Sequence, residues 1–68
     1  MFHNGQRVRS LNGASQGAVV KRGPDYVIKM LGGDEVKPQW YVAWDNAPAG
    51  TGPELVVEEV LVATETTG

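Results

Sequence analysis

Few residues in this chain are equipped for chemistry. His3 is the only histidine among 68 residues, and cysteine is absent. A Ser–His–Asp triad or an imidazole metal site needs its histidine held by partners on rigid elements. His3 lies in the N-terminal lead-in and reads as a solvent-exposed residue. Without cysteine there is no disulfide, no thiolate zinc site and no iron–sulfur cluster. Glu58 and Glu59 offer two carboxylates, but adjacent side chains diverge, and the pair reads as a solvated turn. Gly32-Gly33 is not followed by the Gly-Lys-Ser/Thr of a phosphate loop and reads as turn chemistry. No catalytic residue, metal or cofactor is expected.

What remains is binding chemistry, carried by cations and aromatic rings. Arg7, Arg9, Lys21 and Arg22 fall on two stretches that should pair, so they are candidates for one basic patch, with Tyr26 or Tyr41 beside it. That is a thin nucleic-acid signal, and a formal net charge of −2 argues against such a partner. Charge is unevenly spread: residues 1–29 set five cations against Asp25, whereas residues 30–68 set Lys37 against seven carboxylates. Strands from the two halves that interleave in one sheet would neutralise each other; a basic face for an anion is the alternative. Trp40, Val42 and Trp44 alternate with Tyr41, Ala43 and Asp45, which puts the first set in the core. Trp44 or Tyr41 on an outer face would instead offer an aromatic platform to a peptide or a base.

The elements that must position these residues read as strands. Residues 5–11 give a strand with Val8 inward and the arginines outward, ended by Asn12-Gly13. Residues 17–22 give a second, favoured by Val19 and Val20. Gly23-Pro24-Asp25 is a turn. Residues 26–31 are a third strand, apolar on both faces, so its inner face stays open. Residues 32–38 read as a turn and a loop, and 39–45 as the clearest strand. Residues 46–53, with Pro48, Gly50, Gly52 and Pro53, read as a surface loop. Residues 54–63 read as a strand, one tight turn at Glu58-Glu59 and a short closing strand, and 64–68 as a frayed tail. Five or six short strands with no convincing helix predict a small all-β barrel of antiparallel strands, a single domain over 1–68.

A chain this short buries only about 60% of the surface it exposes when unfolded. With no disulfide to staple it, a closed barrel or an oligomer is the expected solution. No apolar run reaches the length of a membrane span, and the first residues lack the basic start and apolar stretch of a signal peptide. A cytoplasmic protein is expected.

Gly5-x-Arg7-Val8-Arg9, Gly17-x-Val19-Val20, Trp40-x-Val42-x-Trp44-Asp45 and Val57-Glu58-Glu59-Val60-Leu61 together resemble bacterial SH3-like barrels. In those, glycines open the first two strands, a Tyr-x-Val-x-Trp-Asp strand fills the core and a short helical turn precedes the last strand. Photosystem and nitrile-hydratase accessory subunits resemble the same pattern. The resemblance spans nearly the whole chain and implies the fold, which hosts unrelated functions. Residues 5–17 are similar to the opening of the plasmid-borne type II dihydrofolate reductases, SH3-like barrels that assemble as tetramers around one active-site pore. That family has a lysine after Arg-Val-Arg, where this chain has Ser10. It also has a tryptophan in the next loop that is missing here. Its Val-Gln-Ile-Tyr active-site strand has no counterpart here, where the corresponding region reads Glu54-Leu-Val-Val-Glu58. The resemblance implies the assembly logic without the activity.

The expectation is therefore a non-catalytic binding or assembly module that associates with itself and meets a protein partner through an exposed sheet edge and loop 46–53. The alternatives are a symmetric oligomeric NADPH-dependent reductase and a weak nucleic-acid binder through the basic strands.

Overall fold

The computed structural model describes residues 2–64. Its elements run β1 (Arg7–Ser10), β2 (Gln16–Arg22), β3 (Tyr26–Met30), β4 (Gly33–Lys37), β5 (Gln39–Trp44), β6 (Glu54–Val57), a 3-10 turn (Glu58–Val60) and β7 (Leu61–Ala63). Every pairing is antiparallel. Five strands form one sheet in the order β6-β5-β2-β1-β7; β3 and β4 form a second, two-stranded sheet. The all-β class holds, with no α-helix among the described residues. Barrel closure is not detected: β6 and β7 are the edges of the large sheet and do not pair with each other.

The strand count exceeds the expected five or six because residues 33–37 are a strand and not a loop. The two-residue turn Leu31-Gly32 closes a hairpin there, with Gly32 at φ +91° supplying the left-handed backbone that other residues avoid. Val27 then faces Val36, and the Lys29 ammonium lies 2.9 Å from the Asp34 carboxylate. A sequence rich in Gly, Asp and Glu reads as loop, but cross-strand pairing overrides that local preference.

Alternation places the core where expected. Val8, Val19, Trp40, Val42, Val56 and Leu61 are buried on one face of the large sheet, with Phe2 and Trp44 packed against them. Phe2 meets Trp40 edge to face at 6.0 Å between ring centroids. The Trp40 indole N–H donates to Glu58 Oε1 at 2.9 Å, so the ring is buried without stranding its donor. Gly17 permits the closest strand approach: a Cβ there would lie 2.9 Å from the Cα of Trp44 and closer still to the carbonyl oxygen of Ala43. Residues 54–63 follow the expected strand, turn and strand. Thr64 is not frayed, since its N–H donates to the Arg7 carbonyl at 3.1 Å; residues 65–68 of the expected tail lie outside the described residues.

β2–β3 and β4–β5 form one long bent ribbon. The register of β2 against β5 shifts by a residue between Val19 and Lys21. It shifts again across Gly23-Pro24-Asp25, opposite Pro38, before β3 pairs with β4. Neither proline can donate to a ladder, so the ribbon bends where they stand. Beyond the bend the β3–β4 arm stands exposed except at Ile28 and Lys37, which are half-buried. The radius of gyration, 13.2 Å, exceeds the roughly 11 Å of a compact chain of this length.

Candidate functional site

The expected basic patch is split by the sheet. Arg7 and Arg9 stand on the outer face of β1, because Val8 between them is buried in the core. Arg7 pairs with Asp45 through both guanidinium nitrogens, one bond measuring 3.1 Å. That fork-on-fork contact holds the Asp45 carboxyl below its ordinary range and raises the Arg7 guanidinium further. Lys21, opposite Tyr41, lies over the Tyr41 ring at 5.4 Å. Arg22 is opposite Trp40, lies over the Trp40 ring at 5.4 Å and pairs with Asp25. It therefore belongs to the other face of β2 from Lys21. Tyr26 stands on the arm, opposite Lys37. Of the seven candidate residues, Arg7, Arg9, Lys21 and Tyr41 therefore share the outer face of the large sheet, where Lys21 and Tyr41 meet, whereas Arg22, Tyr26 and Trp44 fall elsewhere.

Trp44 does find a site. It lines a cleft of about 810 Å³ between the β1–β2 turn, loop 46–53 and the 3-10 turn. Leu11, Trp44, Pro48, Val56 and Val60 give the cleft its apolar wall, and Ser10, Asn12, Ser15, Asn46, Thr51 and Glu54 its polar groups. Strand alternation aims Trp44 here: it follows Trp40 and Val42 on the inner face, but at the end of β5, where the core opens. Its indole N–H donates to Glu54 Oε1 at 2.8 Å, which fixes the ring plane. Alternation also shows Ser10 inward, opposite Leu61. The β1–β2 turn is shaped by Asn12, whose side-chain oxygen accepts from the Ser10 hydroxyl at 2.6 Å and the Ala14 N–H at 3.0 Å.

The arm is the second surface. Tyr26, Val27, Met30 and Val36 are about half exposed, at 51%, 44%, 54% and 55%, and Leu31 at the tip is fully exposed. Lys37 anchors the base of the arm, 2.9 Å from both Glu35 and Glu59. Hydrogen bonds to those carboxylates raise its ammonium above its usual range. Sequence reasoning flags Tyr26 but misses Leu31 and Val36. The available signal was the apolar character of residues 26–31 on both faces, which a strand covered on one side does not need.

Compared with protein-family models, curated proteins and solved structures, the chain matches none of them.

Proposed function

We propose that this chain is a non-catalytic binding and assembly module on an SH3-like frame, acting through protein–protein contacts and associating with itself. The observation that carries the reading is the arm: five large apolar side chains exposed on a two-stranded hairpin. An isolated hairpin is marginal in water and needs a further strand or a packed face for stability. Exposed apolar patches of this kind mark interaction surfaces.

The SH3-like frame is supported by the connections. β2, β5 and β6 follow one another across the sheet, β1 lies between β2 and the last strand, and a 3-10 turn leads into that strand. The β3–β4 arm is then an insertion between the second and third strands of the frame. The cleft beside loop 46–53 is the natural seat for a partner's segment, with Trp44 as its platform.

Two observations weigh against the alternatives. The cleft is lined by Glu54 and by no lysine or arginine, and Ser10 stands where the resembling reductases have a lysine. A carboxylate there repels the phosphates of NADPH. Among the described residues Arg7, Arg22, Lys29 and Lys37 are all in ion pairs, which leaves little free positive charge for a nucleic-acid backbone.

Sedimentation equilibrium from about 10 to 300 μM, a range spanning ordinary micromolar affinities, tests the reading. A mass that rises above the 7.3 kDa of one chain is expected. A single 7.3 kDa species throughout refutes self-association.

A further inference from the structure

We infer that the open edge of β3 pairs with β3 of a second copy, about a two-fold axis at Ile28, to make a four-stranded sheet β4-β3-β3-β4. This rests on the self-association proposed above and names the surface that performs it. The two-stranded sheet leaves one edge of β3 and one of β4 without a neighbouring strand among the described residues. The two edges are not equally guarded. β4 carries Asp34, Glu35 and Lys37 and runs into Pro38, the charges and proline with which proteins blunt an edge. β3 carries one charge, Lys29, whose ammonium is already held by Asp34 at 2.9 Å. Its other residues, Tyr26, Val27, Ile28 and Met30, are strand formers or apolar.

The register is fixed by symmetry and charge. Two identical antiparallel strands related by a two-fold axis perpendicular to the sheet keep each side chain on its own face. With the axis at Ile28, Tyr26 faces the second copy's Met30, Ile28 faces its own mate, and Val27 faces the second copy's Lys29. No like charges oppose each other, and the row Tyr26, Ile28, Met30 becomes continuous across the junction. Centring β4 on Glu35 would instead set carboxylate against carboxylate. Pairing along this edge would set Tyr26, Ile28 and Met30 of one copy beside those of the other, an aromatic and apolar cross-strand row of the kind that stabilises sheets. The contact is isologous, so it closes at a dimer without propagating.

The test uses sedimentation equilibrium at about 100 μM on the full chain and two single variants of exposed residues, Met30→Asp and Val36→Asp, each checked for native tryptophan emission. We expect the wild type at twice the monomer mass, Met30→Asp at the monomer mass with at least a tenfold weaker association, and Val36→Asp still dimeric. A dimer that survives Met30→Asp, or that both variants dissolve equally, overturns β3 pairing and leaves the assembly reading standing. A monomeric wild type overturns both. Because the chain has no cysteine, Ile28→Cys supplies a readout that tolerates a weakened fold. Under oxidised glutathione it should yield a covalent dimer in high fraction, and Val36→Cys should not. Equal cross-linking of the two also defeats the proposed register.

Discussion

Trp40 is the side chain on which the fold depends most. It is 4% exposed, meets Phe2 edge to face and ties its indole N–H to Glu58. Trp40→Ala should cost about 3–5 kcal/mol, enough to unfold a domain this small, and urea titration followed by circular dichroism would read it. Gly17 and Gly23 make a sharper comparison. A Cβ on Gly17 meets backbone of β5, which cannot yield without shifting the ladder, whereas one on Gly23 meets chiefly the flexible Cδ1 of Leu55. Gly17→Ala should destabilise by about 3 kcal/mol and Gly23→Ala by about 1 or less; equal midpoint shifts in urea would contradict this. The Arg7–Asp45 pair gives a pH signature. Its carboxyl titrates below the unfolded value in the folded state, so its stabilisation is present above the unfolded value and fades as pH falls through the folded one. The pair is exposed and its effect small. Asp45→Asn should melt slightly below wild type at neutral pH and together with it by about pH 2.

At the level of elements, what the sequence reveals depends on whether a residue's neighbour is near or far. Trp40, Val42 and Trp44 alternate strongly enough to place β5 and its inner face, and the valines of residues 54–63 indicate two strands about a turn. The strand β4 is invisible locally, because Gly33, Asp34 and Glu35 favour a turn and only pairing with β3 extends them. The cleft is hidden for the same reason: Ser10, Trp44 and Glu54 come from three separate strands and meet only when the sheet curls. The basic residues mislead, since a run of two such as Lys21-Arg22 in a strand sends one side chain to each face. Lys37 clamps the arm to the 3-10 turn through Glu35 and Glu59. Lys37→Met should speed amide hydrogen exchange across residues 26–37 and leave the buried strands β2 and β5 protected. Because that ammonium titrates above its ordinary value in the folded state, the clamp is intact below the unfolded value and is lost as pH rises through the folded one.

For the whole molecule, the proposed reading carries a negative expectation that separates it from a reductase. Assembled copies would repeat Glu54 and Ser10 at every cleft, so their electrostatic effect on an anionic cofactor would multiply with symmetry. Titration calorimetry should detect no NADPH binding tighter than about millimolar, and no oxidation of NADPH should depend on dihydrofolate. Micromolar binding would restore the enzyme reading.

The pairing of Val8 with Ala63 also sets when the molecule becomes whole during its synthesis. β1 leaves the ribosome well before β7, so one of its two neighbours is made only when residues 61–63 are added. At roughly 5–20 residues per second the intervening stretch takes several seconds. Throughout that interval the inner face of β1 lacks the cover of Leu61, and the nascent chain is open to chaperones. The sheet is therefore complete only once β7 has been made.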